Sequence, residues 1–442
     1  MMLLTCLVTL VSLQVAPAEA SARSVQISNV AVSNITHRIV TITWKTTSES
    51  TTQVTYGKSH PYERHAASAG LRTDHTLILT NLEPNTSYLY RIVAVDASGQ
   101  TALSPTQSFR TAAVPAVPSS LPSDFPSPVD TTTRLPMPGV GGGPGVLYHH
   151  PIIFVHGNNE SARFWLGESY SLARLFGNFV TPVPIISAGE VQAQNFFERF
   201  IAEGYTPAEL WAMSYLGRDG VNNFSDFASA SIGHSHAANV PDVGAFIEAV
   251  LAYTGAEKVD IVAHSLGVTI VREWIRQQLS RGADPLSKLD DLVFIAGANH
   301  GAHFCGFPYV RGTEPPSLLQ LCQEVGQPDS PFLRALNANE TPQSNGKPDY
   351  MTIFAAGPSE DFAYPSDGVD SANRPVNLRL SPVLNGALNV GLAFSLPPDP
   401  RFPFILPGTP PLNLGDPRTH LLLAVSRQTF DIIFPFVSNL RK

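Results

Sequence analysis

The segment Ala263-His264-Ser265-Leu266-Gly267 follows the unbroken apolar run 259–263 and leads at once into helical periodicity over 268–279. A serine between small residues at a strand-to-helix turn is the nucleophile-elbow arrangement, in which bulk two positions to either side would collide with the neighbouring helix and strand. Ala263 stands where a first Gly is more usual and adds one methyl group. The chemistry such a serine can do is attack on an acyl carbonyl, assisted by a general base and by an acid that orients the base. After Ser265 the chain offers His300, His303 and His420 as bases, and after the apolar run 351–355 it offers Asp361, Asp367 and Asp370 as acids. Upstream, the run Ile152-Ile153-Phe154-Val155 ends in His156-Gly157-Asn158-Asn159. A glycine there lets backbone approach a reacting carbonyl so that the next amide can donate to a developing oxyanion. The His156 ring reads as a local hydrogen-bonding group rather than a proton carrier. His234 and His236 form a His-x-His with no carboxylate or cysteine at ligand spacing, which reads as surface loop rather than a metal site. This chemistry requires no metal and no organic cofactor.

Elements able to hold these residues are legible from 148 to the end. Apolar runs at 151–155, 209–213, 259–263, 292–296 and 351–355 have the unbroken character of buried parallel strands. Between them lie amphipathic helices. Over 242–253 the residues Val243, Phe246, Ile247, Val250 and Leu251 follow helical spacing, with Asp242 as the expected cap. Strand alternating with helix predicts an α/β fold with a doubly wound, mostly parallel sheet over 148–442. Ahead of it, 24–112 reads as short strands at regular spacing, an all-β sandwich with Trp44 in its core and Tyr88, Tyr90, Ile92 and Ala94 on one face. The Pro- and Gly-rich stretch 113–147 reads as a semi-rigid spacer ending in a hinge.

With 442 residues the chain has room for two or three domains, and 43% hydrophobic against 14% charged residues excludes a charge-rich disordered chain. The balance of 28 Lys plus Arg against 36 Asp plus Glu gives a net charge of -8, and without a basic run nucleic acid is not expected as a partner. Residues 1–20 read as a signal peptide: an apolar run leads to Ala18-Glu19-Ala20, small residues that a signal peptidase accepts. Secretion is therefore expected, and no stretch has the length of a transmembrane segment. Export would pair Cys305 with Cys322 in a disulfide worth about 3 kcal/mol by restricting the unfolded chain.

Two resemblances add to this reading. Leu82-Glu83-Pro84-Asn85-Thr86-Ser87-Tyr88 resembles the corner of fibronectin type III domains, covering the first segment. Ser265 within Val259-Asp260-Ile261-Val262-Ala263-His264-Ser265-Leu266-Gly267 resembles the secreted class 2 lipases of the α/β-hydrolase superfamily and their relatives, the extracellular poly(3-hydroxybutyrate) depolymerases. That resemblance implies oxyanion donors at the amides of Asn158 and Leu266. It implies His420 as base, ahead of the apolar helix where the family presents it, and a structural role for the His300-Gly301 pair. It implies Asp367 as acid, in an Asp-Gly-Val turn followed by Ser371-Ala372, with Asp370 as runner-up. The expected activity is hydrolysis of acylglycerols or other water-insoluble aliphatic esters. The alternatives are a polyester depolymerase and, from another class, a non-catalytic adhesion protein. The apolar stretch 375–419 reads as a loop suited to an insoluble surface, and the sandwich as a module able to contact lipid or polymer.

Overall fold

The computed structural model describes residues 24–158, 160–167, 195–215, 235–303, 316–366, 368–369, 375–396 and 416–440. The chain divides into two compact units, one ending at Ala112 and the other starting at Ala113, with Thr36–Arg38 grouped with the second.

The first unit contains strands β1 (Ile27–Ser33), β2 (Val40–Gly57), β3 (Arg64–Leu79), β4 (Ser87–Val95), β5 (Thr101–Leu103) and β6 (Gln107–Arg110). All pairings are antiparallel. A register shift between Lys45 and Ser50 breaks the long β2, so that its first half pairs with β1 and its second half with β4. Strict alternation in β4 buries Tyr88, Tyr90, Ile92 and Ala94 as expected. Tyr88, Tyr90 and Ile92 pack with Trp44, Val54, Leu77 and Phe109 in a core of their own. The corner that resembles fibronectin type III closes as that motif does: the Tyr88 hydroxyl accepts the Glu83 N–H at 2.9 Å.

The second unit is built on a seven-stranded sheet. Its strands are β7 (Gly139–Gly141), β8 (Ile152–Val155), β9 (Leu210–Met213), β10 (Val259–His264), β11 (Leu289–Ile295), β12 (Asp349–Ala355) and β15 (Leu388–Leu392), in the order β15-β12-β11-β10-β8-β9-β7. The short pair β13 (Gly368–Val369) and β14 (Pro375–Val376) lies apart from it. Every pairing in the large sheet is parallel except that of β7 with β9. The apolar runs became strands whose two faces are both covered: every residue of β8, β9 and β10 is buried. The helices are α1 (Phe196–Glu203), α2 (His236–Thr254), α3 (Leu266–Ser280), α4 (Pro316–Val325), α5 (Pro331–Leu336), α6 (Pro417–Val425) and α7 (Arg427–Val437).

Three expectations need correction. The predicted face of α2 is buried, but the helix starts earlier than the spacing implied, at Ser235, whose hydroxyl accepts the Ala238 N–H. Asp242 is not a cap: it sits inside the helix, buried, accepting the Thr131 N–H at 3.0 Å. Part of the stretch 375–419 is not loop either, since it supplies β14 and the sheet's edge strand β15.

The third correction concerns 113–147, which belongs to the second unit rather than spacing the two. Phe125, Met137 and Val140 are buried in the main core, and β7 completes the sheet. Its glycines are set by close approach. At Gly141 (φ +98) an added Cβ would lie 2.1 Å from the Leu210 carbonyl oxygen, so no other residue fits there. We therefore expect a chain beginning at 113 to express as folded protein and a chain beginning at 148 to fail. Soluble yield and thermal unfolding of the two check this, and equal folding of both would refute it.

Candidate active site

Parallel pairing fixes where the chemistry can gather. β8, β10, β11 and β12 are consecutive neighbours, so the segments that leave their carboxyl ends emerge side by side. Ala263 is in register with Val155, which brings the turn carrying Ser265 against the loop starting at His156.

Ser265 caps α3 with φ 52 and ψ −120, a strained positive-φ backbone that a non-glycine residue rarely adopts and that the tight elbow imposes. Its N–H donates to the Ile295 carbonyl at 2.9 Å, tying the turn to β11. Gly267 is required by close approach: an added Cβ would lie 2.5 Å from the His156 carbonyl oxygen. Leu266 is the first residue of α3, and the opening N–H groups of a helix have no acceptor within the helix.

The base and its partner are joined by a strand-like bridge far apart in sequence. Asp361, six residues past the end of β12, bridges Asp416, the residue that caps α6 by accepting the Arg418 N–H at 2.9 Å. That junction sets His420, on the first turn of α6, over the Asp361 carboxylate. Nδ1 of His420 donates to Oδ2 of Asp361 at 2.8 Å, while Oδ1 accepts the Ala363 N–H at 2.9 Å. Both residues are buried. Burial pulls the imidazole down, but the Asp361 charge and hydrogen bond outweigh it and hold His420 above the ordinary histidine value. With Nδ1 committed as donor, Nε2 is the nitrogen able to take a proton.

The structure thus brings His420 together with Asp361. Asp361 was one of three carboxylates in view from sequence but not the favoured one; Asp367 and Asp370 lie outside the described residues. His300 is held elsewhere. Its ring bonds the Ser381 carbonyl at 3.0 Å and Glu340 at 3.4 Å. His303 donates its backbone N–H to the Ala363 carbonyl. His156 is as expected a loop-holding group: Nδ1 donates to the Gly157 carbonyl at 2.7 Å, the ring stacks on Tyr215, and burial drives its pKa down to about 4. Asn158 follows in the same loop and Asn159 lies outside the described residues.

Sequence reasoning missed Glu160. It is 4% exposed, and its carboxylate accepts the Gly157 N–H at 2.5 Å and reaches Nδ1 of His264 at 2.9 Å. Burial pushes this carboxyl up, but the His264 charge and these hydrogen bonds outweigh that and hold it below the ordinary range. An acidic residue three positions past a strand-ending His-Gly was the available signal.

The His-x-His reading also changes. His236 is not on a surface loop: it is buried at the start of α2 between Glu324 and the Thr269 hydroxyl, with partners at both ring nitrogens. His234 lies outside the described residues. Among the described residues the cluster able to hold a cation is Asp260, Asp290 and Asp291. It starts β10 and β11, at the end of the sheet away from Ser265, and Lys258 and Lys347 already supply positive charge to it. Cys322, on α4, packs against the main core, and Cys305 lies outside the described residues. No helix among the described residues is long and apolar enough to cross a membrane.

No curated protein matches the chain. Residues 25–111 match the family model of the purple acid phosphatase N-terminal domain. Solved structures similar to the first unit include the fibronectin type III domain of human fibronectin type III domain containing protein 3, at 13% identity and TM-score 0.18, covering 22% of this chain and 94% of that one. The third fibronectin III domain of human KIAA0343 protein is similar at 15% identity and TM-score 0.18, covering 24% and 97%. Residues 149–357, the span that carries Glu160, His264 and Ser265, match the family model of lipase (class 2), which supports a lipase-like hydrolase.

Proposed function

We propose that the chain is a secreted carboxylic ester hydrolase of the α/β-hydrolase superfamily, acting through Ser265, His420 and Asp361. The observation that carries this is the buried His420, whose Nδ1 is fixed by the Asp361 carboxylate, in a chain whose Ser265 sits at φ 52 on a strand-to-helix turn. In this reading Ser265 attacks the ester carbonyl while Nε2 of His420 takes its proton. The amides of Asn158 and Leu266 stabilise the tetrahedral oxyanion, His420 returns the proton to the leaving alcohol, and water then hydrolyses the acyl-enzyme. Asp361 holds the tautomer and the imidazolium that forms.

Acylglycerols or other water-insoluble aliphatic esters are the substrate class favoured by the likeness to class 2 lipases, with an aliphatic polyester as the alternative. The Cys305–Cys322 bridge and the cleaved signal peptide belong to the same reading, and a thiol count on the exported protein tests the first. A panel of p-nitrophenyl butyrate, tributyrin, triolein and a poly(3-hydroxybutyrate) film tests the activity. Release of p-nitrophenol and acid from the small esters is expected, and absence of turnover on all four removes the proposal. Because the base must be neutral to act, kcat/KM on the soluble ester should fall as pH drops through a value above the ordinary ~6.5 of histidine. A rate that held constant to pH 5 would exclude His420 as base.

A further inference from the structure

His264 precedes Ser265 in the elbow and is fully buried, and both its nitrogens are engaged. Nδ1 meets the Glu160 carboxylate, and Nε2 lies 3.1 Å from the main-chain carbonyl of His420. Each ring nitrogen therefore faces an oxygen acceptor, a carboxylate on one side and a carbonyl on the other. Glu160 in turn accepts the N–H of Gly157, whose backbone approaches so closely that an added Cβ would lie 2.8 Å from Ser265 Cβ. One continuous chain of hydrogen bonds thus runs from the loop after β8, beneath the elbow, to the first turn of α6. It touches the three segments that carry the oxyanion amide, the nucleophile and the base.

We propose that Glu160 and His264 are a positioning pair that locks these three segments into one reacting geometry. This deepens the ester-hydrolase reading and rests on it. The His264 ring also packs against the His420 ring, with centroids 4.7 Å apart. The work of Glu160 and His264 is to keep the segments from sliding relative to one another, where a displacement near 1 Å costs on the order of 10² in rate. The pair is shielded from bulk solvent, His264 fully and Glu160 nearly so, so a lost partner is costly.

The test compares kcat and KM on p-nitrophenyl butyrate, with a fluorophosphonate label counting reactive Ser265. Wild-type turnover and labelling at Ser265 are the control; without them both this proposal and the hydrolase reading fall. With them present, Glu160→Ala should lower kcat by about 10²-fold with KM within about twofold. Glu160→Gln should recover most of the lost rate, because its amide oxygen can accept from Gly157 and its NH2 can reach Nδ1 of His264, keeping the link to His420. A folded Glu160→Ala with wild-type kcat, a loss confined to KM, or a Gln variant as slow as the Ala variant overturns the pair while leaving the hydrolase reading intact. Should Glu160→Ala not fold, His264→Gln reads the same link from its other end, since a glutamine amide cannot span both partners. A kcat reduced about tenfold at unchanged KM is then expected, and an unchanged kcat overturns the pair.

Discussion

Ser265→Ala reduces ester hydrolysis to background, a loss on the order of 10⁶ in kcat as for other triads that lose their nucleophile. The thermal transition should barely move, because the side chain is only half-buried at the head of α3 and the elbow's hydrogen bond to Ile295 is a backbone contact that alanine keeps. An ester assay and a melting curve on the same preparation check both halves. Activity comparable to wild type would remove Ser265 as nucleophile, and with it the whole sequence of steps above.

The second large effect falls on the acid. Asp361→Asn should lower kcat by about 10⁴, since an amide at this position no longer selects the tautomer with Nδ1 protonated. The acid limb of whatever activity remains should move to lower pH, because the charge that holds His420 up has gone and burial, which pulls it down, remains. Asp367→Asn should be much milder. If instead Asp367→Asn proved as damaging as Asp361→Asn, the contact at His420 would not identify the acid.

The contrast between these two aspartates marks how far sequence could carry the site. Ser265 was legible because its motif is local: strand, elbow and helix are contiguous, and steric demand selects the small residues flanking the serine. His420 was legible because few histidines follow the nucleophile. The acid depends on a different kind of information, the bridge between Asp361 and Asp416, 55 positions apart, which aims the carboxylate at His420 and leaves no local trace. Glu160 escaped for the same reason, since its meaning comes from packing beneath a turn on another strand. In the fold, the apolar runs and the Tyr88 corner were read correctly because burial on two faces and period-two alternation are properties of the residues themselves. The glycines near 141 were misread because composition cannot separate a glycine that gives freedom from one that gives clearance.

The same strand β7 has a bearing on solubility. It is three residues long, runs against the direction of the rest of the sheet, and lies along β9, whose Leu210, Trp211, Ala212 and Met213 are all apolar. Without it β9 would present an open row of backbone donors and acceptors on a hydrophobic strand, a template on which another copy of the chain could pair. The Gly-Val-Gly segment acts as a stopper: it satisfies β9, and as the outermost strand it is too short to recruit a neighbour. A chain shortened past Gly141 is therefore expected to gather into insoluble assemblies rather than simply melt, and light scattering during refolding would distinguish the two fates.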